Sequence, residues 1–429
     1  MSIKKINLVA ADMGYGHQRA AYPLMDLGGG DVLTINDYKD IPSWEKKYWL
    51  NLLRSYEQIS RFKKIPVLGK IVFEVMDFFQ KIPPLYPFRN LSGTTTQQKY
   101  FFKSIKKGLG KDLIDKLSLD RLPLVTTFFV VAYMAEYHNY QGDIYCIICD
   151  TDISRAWAPI NPKNSRTKFF APSEKVKIRL RMYGVKEENI IISGFPLPKE
   201  NVGTKQEILK EDLARRIIAL DPEYNYRKKE KALLQKEIPD CLKEKNIQPL
   251  TITFAVGGAG AQKEIGVTIM RKLISKIKNK EVILNLVAGN RQEVADYFAR
   301  EIKNSQLDNC KNVKIIFSKN KIEYFKIFNQ CLHATDILWT KPSELSFYGG
   351  LGLPIVIASP VGSQEDFNRE WLLSVGVGID SLDPKYVDEW LFNDLNSGRL
   401  ARAAMDGFLN ADSLGTYRIE KKLLIENNL

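Results

Sequence analysis

Histidine is nearly missing from this chain: 3 in 429 residues, at positions 17, 138 and 333. Cysteine is sparse as well. The 5 cysteines stand at 146, 149, 241, 310 and 331, and an odd number excludes a complete disulfide framework within one chain. Cys146-Ile-Ile-Cys149 has zinc-knuckle spacing but no partner pair downstream, and Asp143–Cys149 reads as a buried strand. Reduced thiols in a cytosolic compartment fit that usage. No uninterrupted apolar stretch approaches the ~20 residues of a membrane span. The apolar run Ile6–Ala11 leads into Asp12-Met-Gly-Tyr-Gly16 and not into a cleavage site, so no signal peptide is read. A Walker A loop is absent. The expectation is a soluble protein or one resting on a membrane surface.

What is present is ordinary globular composition, 45% hydrophobic and 26% charged. That excludes a disordered chain, a collagen and a disulfide miniprotein. At roughly 100–200 residues per domain, two or three domains are expected. Lys and Arg total 63 against 50 Asp and Glu, a net charge of +13. The excess implies an acidic partner: nucleic acid, anionic lipid or a phosphorylated substrate.

Strand-like runs alternate with helical spacing along most of the chain. They lie at Ile6–Ala11, Leu124–Val131, Ile144–Ile148, Lys168–Ala171 and Ile190–Ser193, then at Leu250–Val256, Val282–Val287, Val313–Phe317, Ile337–Trp339 and Pro354–Ala358. Such alternation implies parallel sheets with helices on both faces. Two of the runs end in glycine turns, Gly14-Tyr-Gly16-His17 and Gly257-Gly-Ala-Gly260-Ala-Gln262. The fold class expected is α/β, with two Rossmann-like doubly wound domains facing a central cleft. Ligands in such sheets bind outside the carboxyl ends of the strands.

Residues 44–110 differ in character. They hold 13 Lys/Arg against 4 Asp/Glu, and aromatics recur at Trp44, Tyr48, Trp49, Tyr56, Phe62, Phe73, Phe78, Phe79, Tyr86, Phe88 and Tyr100–Phe102. Lysines attract anionic lipid and aromatic rings enter its interface, so a membrane-surface element is one reading. Helical core with a solvated basic face is another. A nucleic-acid surface fits on charge, but no recognised nucleic-acid module accompanies it. From 199 to 248 the chain is rich in Lys and Glu and reads as a linker or insertion with surface helices.

Several residues carry candidate chemistry. His17 sits at the tip of a glycine turn, where an imidazole could act as a base or merely cap a helix. The second glycine turn reads as a diphosphate cradle or as a packing turn. Lys341, in Trp339-Thr-Lys-Pro-Ser-Glu344, would suit phosphate beside a helix start at Pro342. Polar residues at Gln364, Glu365 and Asn368 follow a buried strand and are placed to meet hydroxyls.

Together these motifs resemble the GT-B glycosyltransferases of family 28, which include the MurG GlcNAc-transferase and the diacylglycerol sugar transferases. Gly14-Tyr-Gly-His-Gln-Arg-Ala-Ala21 is similar to their opening G-x-G-H-x-x-A-A. Asp150-Thr-Asp152 with Trp157, Phe169-Phe-Ala-Pro-Ser-Glu174 and Ile192-Ser-Gly-Phe-Pro196 resemble the lipid branch. Thr340-Lys-Pro342 and Gly352-Leu-Pro354, with Pro360, Gln364, Glu365 and Asn368, resemble the C-domain signature. The resemblance covers roughly 1–36, 120–198 and 250–380, in order. It implies His17 near the acceptor hydroxyl, with Gly14, Gly16, Asp152 and Trp157 on the acceptor side. It implies Gly257, Gly258 and Gly260 at the donor diphosphate, and Thr340, Lys341 and Ser343 beside the phosphates. Phe317 would line the base, Gln364 and Glu365 would bind the donor sugar, and Glu344 would stand in at the ribose. The family's usual ribose glutamate position falls on Gly349, and Arg155 stands near where the lipid enzymes carry a histidine.

The reading that follows is an inverting, metal-independent glycosyltransferase with no cofactor. Its partners would be a nucleotide-sugar donor, first of all a UDP-sugar, a lipid or lipid-linked acceptor, and an anionic membrane surface; no nucleic acid is expected. It would be cytoplasmic and peripheral on the inner face of the cell membrane. The rival is a degenerate, non-catalytic GT-B protein that binds a nucleotide, lipid or protein partner; a nucleotide-sugar epimerase ranks below both. The expected domains are 1–198, 199–248 as linker or insertion, 249–385, and 386–429 as C-terminal helices.

Overall fold

The computed structural model describes residues 4–62, 82–242, 248–257, 260–360 and 363–427. The chain divides into two compact units: Met1–Pro196 together with Leu414–Leu429, and Leu197–Ser413. Each unit carries one six-stranded sheet.

In the first unit the strands are β1 (Asn7–Ala10), β2 (Leu33–Thr34), β3 (Leu124–Thr126), β4 (Ile144–Ile147), β5 (Lys168–Ala171) and β6 (Ile190–Ile192). Their spatial order is β2-β1-β3-β4-β5-β6, every pair parallel. The second unit holds β7 (Leu250–Ala255), β8 (Val282–Gly289), β9 (Val313–Phe317), β10 (Ile337–Thr340), β11 (Ile355–Ile357) and β12 (Gly378–Asp380). These run β12-β11-β10-β7-β8-β9, again all parallel. Both units are therefore doubly wound and Rossmann-like, as the GT-B class requires. The strand order reverses beside β1 in one unit and beside β7 in the other. Those two points are also where the two glycine turns begin.

Helices on both faces bury these strands, which is why they read as apolar runs and not as alternating ones. Ile6, Leu8, Ala10, Val125, Tyr145, Ile147 and Phe170 share one core in the first unit. Ile419 and Leu423 join it from the helix Gly415–Glu426, so this last helix packs in the first unit. Glu426 fastens that helix by accepting from Tyr145 Oη at 2.8 Å and Lys168 Nζ at 3.1 Å.

Two readings of the sequence change here. The run Leu124–Val131 is not one strand. β3 stops at Thr126, whose Oγ1 accepts from Phe128 N at 3.1 Å, and a helix begins at Phe129. That helix is buried on nearly all sides, so apolar periodicity could not separate it from a strand. The Lys/Glu-rich stretch after 199 is packed into the second unit. Its helix Glu207–Ala219 buries Leu209, Leu213 and Ile217, a four-residue repeat that forms one apolar face. The buried Arg216 guanidinium donates to the carbonyls of Thr335 (2.8 Å), Leu351 (2.8 Å) and Gly352 (3.1 Å). A cationic residue can be core when carbonyls satisfy its fork.

The basic aromatic stretch is sorted by burial. Trp49 and Phe101 are core, Tyr48 and Phe102 half-buried, and Trp44, Tyr86, Phe88 and Tyr100 exposed. The motif Lys63–Phe73 and the rings of Tyr56, Phe62, Phe78 and Phe79 lie outside the described residues. Among the described residues no helix is long and apolar enough to cross a membrane.

Glu45, in the first turn of the helix Ser43–Phe62, is buried and accepts from Gly110 N at 3.2 Å. Burial pushes its carboxyl up to about 7, against the Gly110 hydrogen bond and helped by the charge of Asp112. The folded chain thus holds a proton there that the unfolded chain releases near pH 4.5. Stability should fall as pH rises from 4.5 to about 7. Glu45→Gln keeps the acceptor and removes the charge, so thermal melts should show that variant the more stable of the two at pH 8.

Candidate functional site

Gly14 takes φ +115°, a backbone conformation glycine permits, and a Cβ there would meet nothing within 4 Å. It turns the chain out of β1 into the helix Gly16–Ala21, which places His17 at the switch point of the first sheet. His17 Nδ1 lies 2.6 Å from the carbonyl oxygen of Thr127, just past β3. A carbonyl only accepts, so Nδ1 carries the proton and the neutral ring keeps its lone pair on Nε2. Phe128 meets the ring edge-on with centroids 5.1 Å apart, and Trp157 lies 6.2 Å away at a tilt. Gly14, Gly16, His17 and Trp157 thus come together as one group. Thr127 went unread in the sequence because it acts through its carbonyl, which has no side-chain signature.

Asp152 does other work. Its carboxylate is fully buried and takes Arg179 Nε at 2.8 Å and Nη2 at 2.9 Å, with Lys175 Nζ at 3.4 Å. It is a buried structural ion pair. Asp152→Ala would leave a buried guanidinium uncompensated, a loss of about 3–5 kcal/mol. The thermal midpoint should drop on the order of 10 °C. Arg155 is likewise structural, since its guanidinium donates to the carbonyls of Ala158 (2.7 Å), Ser92 (2.9 Å) and Pro159 (2.9 Å).

The second sheet offers a denser group at its own switch point. Gly257 follows β7, and Gly260 N donates back to its carbonyl at 2.8 Å, closing a tight turn. Gly258 lies outside the described residues. Lys341, just past β10, lays its side chain across Gly257: a Cβ on Gly257 would overlap Lys341 Cε and stand 2.9 Å from Cδ. The Lys341 ammonium is paired with the Glu365 carboxylate. Glu365 and Gln364 open the helix Ser363–Ser374, and buried Asn368 ties that helix to the Lys341 turn by donating to Pro342 O at 3.3 Å. Glycine turn, lysine and glutamate therefore converge from three separate elements, far apart in the chain.

The remaining residues divide. Thr340 is buried and spends its hydroxyl on Ala255 O at 3.1 Å, so it joins β10 to β7 and has no proton left to donate to a phosphate. Ser343 and Glu344 are half-buried where the 3₁₀ helix Glu344–Leu351 starts. Phe317 ends β9, paired with Gly289 across a register shift at Val287/Gly289. Gly349 is buried inside the 3₁₀ helix, and a Cβ there would stand 2.7 Å from Val377 Cγ1. A side chain at that position would require Val377 to move. Sequence reading also passed over Gln262, whose Nε2 donates to Ser359 O at 2.8 Å and links the glycine turn to the segment after β11.

Among the described residues no group of three or more His, Cys, Asp or Glu is arranged to hold a metal ion. The family described as a domain of unknown function (DUF6938) matches residues 240–309, well under half of the chain. No curated protein matches it. Solved structures match along nearly the whole length. One is MnaA of S. aureus with UDP, at 13% identity and TM-score 0.49, covering 100% of this chain and 98% of that one. MurG of Acinetobacter baumannii matches at 11% identity and TM-score 0.49, covering 99% and 100%. The UDP-GlcNAc 2-epimerase of Neisseria meningitidis bound to UDP-GlcNAc matches at 12% and 0.47, covering 98% and 100%. Identities this low do not carry chemistry from one chain to another.

Proposed function

We propose that this chain is an inverting glycosyltransferase that moves a sugar from a nucleoside-diphosphate sugar, with UDP-sugars the leading class, to a hydroxyl on a lipid or lipid-linked acceptor. The observation that carries the reading is Lys341 lying across Gly257 and paired with Glu365 at the switch point of the second sheet. A lysine over a glycine turn suits a diphosphate, and a carboxylate beside it suits sugar hydroxyls. His17 is the base. The acceptor hydroxyl gives its proton to Nε2 as its oxygen bonds the anomeric carbon, and the bond from that carbon to the diphosphate oxygen breaks. Lys341 and the glycine-turn amides take up the charge that grows on the leaving diphosphate. No metal is required in this scheme, so turnover should survive chelation by EDTA.

The membrane-side part of the proposal rests on the first unit's exposed Trp44, Tyr86, Phe88 and Tyr100 within a segment of strong positive charge. Binding to anionic vesicles should weaken as salt rises, and neutral vesicles should bind far less. Equal binding to both at high salt would remove this part. A cytoplasmic, membrane-peripheral location is part of the same proposal.

Gly349, standing where the resembled family carries its ribose glutamate, favours a second reading, a GT-B protein that binds a nucleotide, lipid or protein without turning a donor over. One donor panel separates the two. The protein is incubated with UDP-, GDP-, ADP- and dTDP-sugars and extracted membrane lipid, and released nucleotide is quantified alongside new glycolipid. Release matched by glycolipid, and lost in His17→Ala, supports the transferase. Binding without release supports the second reading, and an epimerised donor would point to neither.

A further inference from the structure

The turn that carries His17 is built from soft parts, Gly14 and Gly16, and something outside it must hold it. β2 is only two residues long and pairs with β1 at Val9↔Leu33 and Ala10↔Thr34. One further ladder bond follows, Ile35 N to Ala10 O at 2.9 Å. At the next step a side chain takes over. Asn36 Oδ1 accepts from Asp12 N at 2.9 Å, and Asn36 Nδ2 donates to Asp12 O at 3.1 Å. The amide's orientation is forced, because a backbone N–H must donate and a carbonyl must accept. Asp12 lies two residues before Gly14, so this carboxamide carries the ladder on to the edge of the turn.

We propose that Asn36 is a positioning residue for His17: by bonding both backbone groups of Asp12 it sets the turn that aims Nε2. The inference rests on the reading of His17 as base. The imidazole is then held from two sides, its ring by the Thr127 carbonyl past β3 and its turn by Asn36 past β2. With Nδ1 tethered, the direction of Nε2 follows the backbone at residue 17, and that backbone follows Asp12. Aspartate at 36 would keep the acceptor and lose the donor. Alanine would lose both.

Three histidines make the test direct. Imidazole nitrogen and carbon resonances of the full chain are followed with pH, and the His17 signals are assigned by their loss in His17→Gln. In Asn36→Ala the His17 signals should shift or broaden and its titration midpoint should move, while His138 and His333 hold. Asn36→Asp should fall between, and it serves if the alanine variant folds poorly. Where a donor is turned over, kcat should fall roughly 10- to 100-fold with the donor KM within about twofold, as for a misaimed catalytic group. His17 signals that overlay the parent's in folded Asn36→Ala would overturn the proposal. So would a common shift of all three histidines, which marks general loosening. The spectra decide the positioning role even if no donor reacts, and that separate result would count against the transferase reading alone.

Discussion

His17→Ala should lower transferase turnover by about 10²–10⁴-fold, the usual contribution of a positioned general base. Donor binding should persist. The ring belongs to the first unit, whereas Gly257, Lys341 and Glu365 belong to the second. The variant should therefore bind nucleotide with near-parental affinity in calorimetry while releasing almost none in the donor panel. His17→Gln tests the same point with less change in volume, since it keeps a polar group and cannot take the proton. The acid limb of the rate–pH profile should disappear in both. Parental turnover in either variant would remove His17 from the mechanism and leave the Thr127 hydrogen bond as a purely structural tie.

Gly257→Ala should weaken donor binding roughly 10- to 100-fold, the equivalent of one hydrogen bond to a charged group at about 1.5–3 kcal/mol. The added Cβ would occupy the space of Lys341 Cε, so the lysine must leave the turn and its place beside Glu365. The displaced atoms are the far end of a flexible chain, and stability should change little. Because the glycine acts through the lysine, Lys341→Ala should cost a similar factor. The double variant should then be no worse than either single one, a non-additive cycle. Fully additive losses would show that Gly257 meets the donor on its own account. A large fall in melting temperature would instead mark the turn as structural.

Much of the architecture was readable in advance because buried parallel strands have a plain signature. β5 and β9 match the apolar runs Lys168–Ala171 and Val313–Phe317 end to end, and β4, β6, β7, β10 and β11 fall within a residue or two. β2 (Leu33-Thr34) and β12 (Gly378-Ile-Asp380) escaped because neither holds an apolar run, whereas the equally short β6 and β11 are apolar throughout. The helix Phe129–Tyr137 was merged with β3 because an element buried all round looks the same in either conformation. The stretch after 199 read as surface because its charged residues outnumber its apolar ones. Burial of Arg216 is visible only once the carbonyls of Thr335, Leu351 and Gly352 are gathered around it.

At the candidate site the same division holds. Residue types and their order along the chain suffice to single out His17, Gly257, Lys341 and Glu365, since glycine turns after strands and polar groups after strand ends are local patterns. What each side chain touches was settled by contacts between residues distant in sequence. The imidazole's proton is placed by a carbonyl 110 positions away. Lys341 covers Gly257 because β7 and β10 are neighbours in the sheet though far apart in the chain. Asp152, placed on the acceptor side by the resemblance, is held by Arg179, and a side chain at Gly349 would press on Val377. Sequence alone determined the fold class and the short roster of chemical groups, because both follow from local spacing. Tertiary structure decided which of those groups meet and which are spent on holding the fold, because hydrogen bonds and packing form between whatever the sheet order brings side by side.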